Sequence, residues 1–248
     1  MLVTRPARQA GEFARKLAAL DARPVVFPAI VILPPADRTA LDAAHAQLDE
    51  YDLAFFVSAN AAEYGAPPDP ARWPPRLMTF APGPGTAEAL AAVGLANVHA
   101  PPARFDSEGL LALPELADVR GKRAVIFCGE RGRDLVTTTL TARGARVDNV
   151  ACYRRARPAS GAAGMIEALR EGRVDAVTIT SSEGLDNLMH VLGKEGRPHF
   201  LARPMFVPHA RIADHARTLG AHPIQTAGGD AGVIAGLLEW AANRQPTR

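Results

Sequence analysis

Asp52-Leu53-Ala54-Phe55-Phe56-Val57-Ser58-Ala59-Asn60 returns 123 residues later as Asp175-Ala176-Val177-Thr178-Ile179-Thr180-Ser181-Ser182-Glu183. Both stretches hold a short run free of proline, followed by small hydroxyl or amide residues. The run suits a buried strand, and its tail suits a helix start. Working outward, the same offset joins residues 2–65 to residues 125–188 without a gap. In that register Arg8 meets Arg131, Leu17 meets Leu140, Ala22 meets Ala145 and Ser58 meets Ser181. A three-residue slip then changes the offset to 126, where Phe80 meets Phe206, Pro82 meets Pro208, Ala87 meets Ala213 and Gly94 meets Gly220. A repeat longer than a solenoid unit reads as two copies of one small domain. Two similar lobes in one chain imply a cleft, the usual seat of a small ligand.

The composition narrows the class. A chain of 248 residues with 48% hydrophobic residues buries real cores, which excludes disorder. Against 28 Lys and Arg stand 26 Asp and Glu, a net charge of +2, so nothing suggests a basic stripe for nucleic acid. The two cysteines, Cys128 and Cys152, make no disulfide framework and lack the CxxC or close His pair of a zinc set. Free thiols suit a reducing compartment. Met1–Gln9 carries no apolar h-region. No run approaches the roughly 20 apolar residues needed to cross a bilayer. The expectation is a soluble cytoplasmic protein with neither nucleic acid nor membrane as partner.

Strand and helix patterns alternate. Apolar runs at 54–57, 124–127, 176–179 and 205–207 read as strands. Phe13, Leu17 and Leu20 share one helical face, and Gly94, Gly144 and Gly220 stand where a helix C-terminal glycine belongs. The expected fold is α/β, with parallel sheets covered by helices on both faces. Ligands bind such sheets at the carboxyl ends of the strands. The informative residues therefore follow each run: Thr4-Arg5-Pro6, Ser58-Ala59-Asn60, Gly83 to Thr86, Gly129 to Arg133, Ser181 to Gly184 and Pro208 to Arg211. Residues 27–35 and 150–158, bearing prolines, read as extended connectors and not as central strands.

Ser58, Asn60, Thr86, Thr180, Ser181 and Ser182 fall at predicted helix starts. Capping is the commoner use of such residues, but helix N-termini also offer N–H donors and a favourable dipole to anions. Their number points to a ligand with several carboxylates or phosphates. Arg5, Arg131, Arg133, Arg154, Arg155, Arg157 and Arg211 lie near strand ends or connectors. Arg5 and the Arg154-Arg155 pair are the best placed to grip carboxylates bidentately. Tyr153, one of three tyrosines, sits in a connector, where a phenol either packs or donates a proton to a leaving oxygen. Gly83-Pro84-Gly85-Thr86 matches neither phosphate-loop pattern, and no GxSxG is present.

Taken in order, the pieces resemble the uroporphyrinogen-III synthase family over almost the full chain. They are Val3-Thr4-Arg5-Pro6, Pro28-Ala29-Ile30-Val31-Ile32, Ser58-x-Asn60-Ala61 and Gly83-Pro84-Gly85-Thr86-Ala87. Further on come Ser107-Glu108-Gly109-Leu110-Leu111, Gly129-Glu130 with Gly132-Arg133, Val150-x-x-Tyr153-Arg154-Arg155, Ser181-Ser182-Glu183-Gly184-Leu185 and Phe206-Val207-Pro208-His209.

The resemblance implies two flavodoxin-like lobes joined by a two-stranded extended linker. Lobe one would take residues 1–34 with 157–248, lobe two residues 37–152, with linkers at about 27–36 and 150–158. It implies a monomeric cyclising lyase of tetrapyrrole (haem) biosynthesis that uses neither metal nor organic cofactor. Such an enzyme converts linear hydroxymethylbilane, with its eight carboxylates, to uroporphyrinogen III with loss of water and inversion of ring D. Any contact with the preceding pathway enzyme would be transient. Tyr153 matches the tyrosine proposed in the family as proton donor. Arg5, Ser58, Asn60, Thr86, Ser181, Ser182 and Arg211 would bind substrate carboxylates. Cys128 departs from the pattern, standing where many relatives have an arginine; its first-copy equivalent is Arg5. The rival reading is a non-catalytic two-lobed binding or sensor protein for an anionic tetrapyrrole-like metabolite.

Overall fold

The computed structural model describes residues 1–130, 135–159 and 162–243. Arg131 and Arg133, named above as candidate arginines, lie outside the described residues. The strands are β1 (Leu2–Val3), β2 (Val25–Val26), β3 (Val31–Leu33), β4 (Leu53–Phe56), β5 (Met78–Phe80), β6 (Val98–His99), β7 (Arg123–Gly129), β8 (Arg146–Ala156), β9 (Val177–Thr178), β10 (Met205–Val207) and β11 (Pro223–Gln225). The α-helices are α1 (Ala7–Ala18), α2 (Thr39–Ala46), α3 (Ala59–Gly65), α4 (Pro84–Ala92), α5 (Ser107–Leu111), α6 (Leu135–Ala142), α7 (Ala162–Arg170), α8 (Ser182–Leu201), α9 (Ala210–Thr218) and α10 (Gly229–Ala242). The fold is mixed α/β with parallel strand pairing.

The chain divides into two compact units. Unit 1 is Met1–Val31 with Ala156–Arg248, and unit 2 is Ile32–Arg155. Unit 1 holds a sheet of order β11-β10-β9-β1-β2; the other sheet has order β3-β8-β7-β4-β5-β6. In each sheet the first strand of one sequence copy pairs with the serine-ending strand of the other, β1 with β9 and β7 with β4. Leu2 lies opposite Val177 across β1 and β9, and the repeat-equivalent residues Val125 and Ala54 lie opposite each other across β7 and β4. The match continues outward: Leu2 opposite Val25 corresponds to Val125 opposite Asp148, and Met205 opposite Val177 to Thr79 opposite Ala54. Only the outermost pairs differ, Met205 opposite Pro223 against Thr79 opposite Val98, a shift of one residue. A strand tolerates no slip while both of its faces are buried, because one residue of slip exchanges them.

Both faces are buried here. In unit 1, Leu2, Met205 and Val207 join one core, while Val3 and Phe206 join the opposite core with Phe13 and Leu17 of α1. In unit 2, Ala54, Phe56, Val125 and Phe127 face one side, and Leu53, Phe55, Ala124 and Ile126 the other. Phe56 stacks on Phe127 at 4.7 Å and Phe55 on Phe80 at 4.9 Å between ring centroids.

Gly94, Gly144 and Gly220 close α4, α6 and α9 with φ of 86°, 89° and 86°. Each is followed by the same crossed pair of hydrogen bonds, such as Gly94 N–H to Ala91 and Leu95 N–H to Leu90. That is the left-handed cap for which glycine costs least.

Two expectations need correction. Leu20 does not extend the apolar face of α1; it lies past the helix end and is exposed. Residues 150–156 belong to a strand inside the sheet, where the expectation was an extended connector and not a central strand. Prolines are absent between 146 and 156, so nothing interrupts the ladder, and β8 pairs with β7 one place in from the sheet edge. Val150, Cys152 and Tyr153 are consequently buried. Pro28 and Pro34 do bound the first segment, leaving only the three residues of β3 as strand.

Candidate active site

In unit 2 the run Leu53–Phe56 is apolar enough to be wholly buried, so the chain meets the sheet edge at Val57 and turns. Ser58 takes the turn in an extended conformation and caps α3, its Oγ accepting from Ala61 N–H at 3.1 Å. Asn60 follows in the first turn, half-buried. From the neighbouring β5 the chain enters α4 through Gly83 and Pro84, and Thr86 sits buried in the first turn; Gly83, not Thr86, is the cap.

Tyr153 reaches this end of the sheet from β8. The ladder between β7 and β8 slips there, Cys128 lying opposite Ala151 but Gly129 opposite Tyr153. The Tyr153 ring is 5% exposed, and its hydroxyl lies 3.3 Å from Ser58 Oγ. Gly129 faces the ring so closely that a Cβ would come within 2.9 Å of Tyr153 Cζ. Glu130 N–H donates to the Tyr153 carbonyl at 3.0 Å, and Ala36 N–H donates to the Glu130 carboxylate at 3.2 Å. Tyr64 leans on the Tyr153 ring at 6.4 Å between centroids and gives its hydroxyl proton to the Ile32 carbonyl. Tyr153, Ser58, Asn60 and Thr86 thus belong to the carboxyl ends of one sheet.

Unit 1 holds the other candidates. Ser181 repeats the work of Ser58, capping α8 with Oγ accepting from Gly184 N–H at 3.0 Å; Ser182 is the first residue of that helix. Arg211 is exposed in the first turn of α9. Arg5 is not free. Its guanidinium lies 4.1 Å above the Phe13 ring and is paired with Asp230 in the first turn of α10. Lys16 reaches the same carboxylate at 3.1 Å. Burial raises the Asp230 pKa, but the hydrogen bonds from Arg5 and Lys16 outweigh it and hold the carboxyl below its ordinary value. Among the described residues nothing accepts from the buried Arg5 Nε or from the buried Arg154 Nε.

The chain as a whole matches a known family. The family model for uroporphyrinogen-III synthase HemD matches residues 11–228. The chain belongs to the uroporphyrinogen-III synthase family. Uroporphyrinogen-III synthase of Salmonella typhimurium is 36% identical over 233 residues, covering 92% of this chain and 94% of that one. The Escherichia coli enzyme of the same name gives the same identity and coverage. A solved structure of mutant uroporphyrinogen III synthase from Thermus thermophilus aligns with a TM-score of 0.57 at 22% identity, covering 99% of both chains. The Helicobacter pylori uroporphyrinogen-III synthetase structure aligns at 0.56 and 13% identity, over 90% of this chain and 93% of that one. At such identities the two structures speak to the fold.

Gly129 and Glu130 fall in the strand-end stretch that the sequence singled out, whereas Tyr64 and Asp230 were missed. Asp230 stands 225 residues from its partner Arg5, and nothing local announces it. The cysteines are free, and burial pushes the Cys152 thiol up to about 12. Among the described residues no group of three or more His, Cys, Asp and Glu could hold a metal ion. Among them, too, no helix is long and apolar enough to cross a membrane.

Proposed function

We propose that the chain is a uroporphyrinogen-III synthase, a lyase of haem biosynthesis. It closes hydroxymethylbilane to uroporphyrinogen III with loss of water and inversion of ring D, and Tyr153 serves as its proton donor. The observation that carries the catalytic part is the Tyr153 phenol, held by packing at the carboxyl end of the sheet with its oxygen beside Ser58. In this reading Tyr153 gives its proton to the hydroxymethyl oxygen as the C–O bond breaks and water leaves. The pyrrole nitrogen supplies the electron pair, forming an azafulvene. A pyrrole carbon attacks the freed methylene, ring D inverts through a spiro intermediate, and the last ring carbon to bond gives up its proton. That proton restores the phenol. Since the pyrroles are electron-rich, the protein contributes chiefly by holding the chain folded.

Carboxylate binding falls to the strand-end donors: Asn60 and Thr86 in unit 2, Ser181, Ser182 and Arg211 in unit 1. The amino ends of α4, α8 and α9 support this, since helix N-termini favour anions. Arg5 joins them only by exchanging Asp230 for a substrate carboxylate. The description as two flavodoxin-like lobes is supported by the order of unit 1, which reads 2-1-3-4-5 in its own chain order. Residues 27–36 and 150–158 serve as the linker, a reading supported by the unit boundaries at 31/32 and 155/156. A single chain holds both Tyr153 and Ser58, which supports a monomer, and the free thiols support the cytoplasm.

The experiment supplies hydroxymethylbilane and separates the uroporphyrinogen isomers by chromatography. The type III isomer is expected; type I alone overturns the assignment. Tyr153→Phe is expected to lower kcat by about a hundredfold with the circular dichroism spectrum unchanged. Unchanged turnover removes the acid role.

A further inference from the structure

We propose that Ser58 is a positioning residue for Tyr153, holding the phenol oxygen and stabilising the phenolate left when the proton departs. This deepens the reading of Tyr153 as proton donor and rests on it. Ser58 Oγ already accepts from Ala61 N–H at 3.1 Å, which fixes the oxygen at the start of α3. A serine hydroxyl has one hydrogen to give. The Tyr153 oxygen stands 3.3 Å away, within the half-buried turn. The hydroxyl end of the ring is confined by Gly129, where no Cβ fits. The phenol therefore has a fixed wall against its hydroxyl end and a fixed hydroxyl beside its oxygen. While Tyr153 gives its own hydrogen to the leaving hydroxyl, it accepts the Ser58 hydrogen. No bond to Ser58 forms or breaks. The contact is longer than the usual O–H···O distance of about 2.7–2.8 Å and shortens as the phenol oxygen gains negative charge.

The repeat sharpens the inference. Ser181 makes the same cap in unit 1, yet the residue equivalent to Tyr153 is Ile30, and a Cβ on Gly184 would lie 3.0 Å from Ser181 Oγ and 3.9 Å from Ile30 Cδ1. At that corner the side chain in the place of Tyr153 is aliphatic and has no hydrogen-bonding group to offer the serine. Capping alone explains Ser181; it leaves the Ser58 contact with a phenol unexplained.

The test measures kcat and KM with hydroxymethylbilane for five Ser58 and Tyr153 variants. Ser58→Ala is expected to lower kcat about tenfold with KM within about twofold, the scale of one hydrogen bond to a charged oxygen. Ser58→Asp keeps a good cap but has no O–H donor, so kcat falls while Tm holds. Ser58→Thr keeps both and retains kcat. In the Tyr153→Phe background, Ser58→Ala takes nothing further from kcat, since the oxygen it served is gone. Asp106→Ala strips the side-chain cap of α5, where Asp106 accepts from Gly109 N–H at 2.8 Å, and lowers Tm without lowering kcat. Parental kcat in Ser58→Asp, or an equal loss from Ser58→Ala with and without the phenol, overturns the proposal. Should Tyr153→Phe keep full kcat, the proton-donor reading falls and this one with it. Should Tyr153→Phe lose kcat and Ser58→Ala not, only this one falls.

Discussion

Two serine corners face the same task with different neighbours. In unit 2, Ser58 caps α3 and meets the hydroxyl of Tyr153; in unit 1, Ser181 caps α8 beside Ile30. The caps agree to 0.1 Å, at 3.1 and 3.0 Å, and both opposing side chains are 5% exposed. Strand registers around the two corners are residue-equivalent through three strand contacts. Burial and capping therefore preserve the frame in both copies, while one side chain separates a corner that holds a phenol from one that holds an aliphatic group. Duplication supplies the fold with an internal control: whatever the copies share serves structure first, and whatever they do not share is where chemistry is to be sought.

The strongest attempt to break that comparison moves the phenol across. Ile30→Tyr placed in the Tyr153→Phe background is expected to leave kcat about a hundredfold down, because a tyrosine and a capping serine are not sufficient. The Tyr153 ring lies against Gly129, and the equivalent residue in the first copy is Pro6, which carries a Cβ and a ring where Gly129 carries neither. The added tyrosine also overpacks the turn around Gly184, at a cost of about 1–3 kcal/mol readable by urea unfolding. Recovery of kcat to near the parental value would show that the two corners are interchangeable and that the asymmetry lies elsewhere.

A smaller change tests the wall alone. Gly129→Ala puts a Cβ 2.9 Å from Tyr153 Cζ and 3.2 Å from its hydroxyl oxygen, so the ring has to shift. A fall in kcat of about tenfold is expected, consistent with the steep dependence of catalysis on placement. In the Tyr153→Phe background the same substitution should cost kcat little, since the misplaced oxygen is already gone. Kinetic constants for the four variants decide it; parental kcat in Gly129→Ala removes Gly129 from the site.

The frame was more legible in sequence than the site. Runs such as Leu53–Phe56 and Met205–Val207 announce themselves because a strand buried on both faces has no room for polar residues. Ser58 and Ser181 announced themselves too, since a hydroxyl after such a run meets the free amides of the next helix. β8 was hidden because its sequence, Arg146-Val147-Asp148-Asn149, opens with polar residues that lie toward the sheet margin while burial begins only at Val150. The pairing of Arg5 with Asp230 was hidden for a different reason: it depends on the first turn of α10 lying beside the residue after β1, which no local pattern encodes. Tyr153 was readable as a difference between copies, but its contact with Ser58 needed the strand slip at Gly129, a feature of pairing and not of either segment alone.

The gentlest test concerns a place where the copies share geometry but not residue. α1 and α6 end in the same crossed hydrogen bonds: Asp21 N–H to Ala18 with Ala22 N–H to Leu17, and Gly144 N–H to Thr141 with Ala145 N–H to Leu140. The residue at the turn has φ 58° in the first copy and 89° in the second, both left-handed. Gly144 adopts this freely, whereas Asp21 carries a Cβ into a region that costs an L-residue about 1 kcal/mol or more. Glycine also loses more backbone freedom on folding, which returns part of the gain. Asp21→Gly is therefore expected to stabilise the protein by only about 0.5–1 kcal/mol, seen as a higher urea midpoint at unchanged slope. Activity should not move, because the turn lies beyond the end of α1, at the opposite end of that helix from Arg5 and Pro6. A lower midpoint would mean that the Asp21 side chain contributes more than its backbone strain costs, and that the two copies reach the same turn for different reasons.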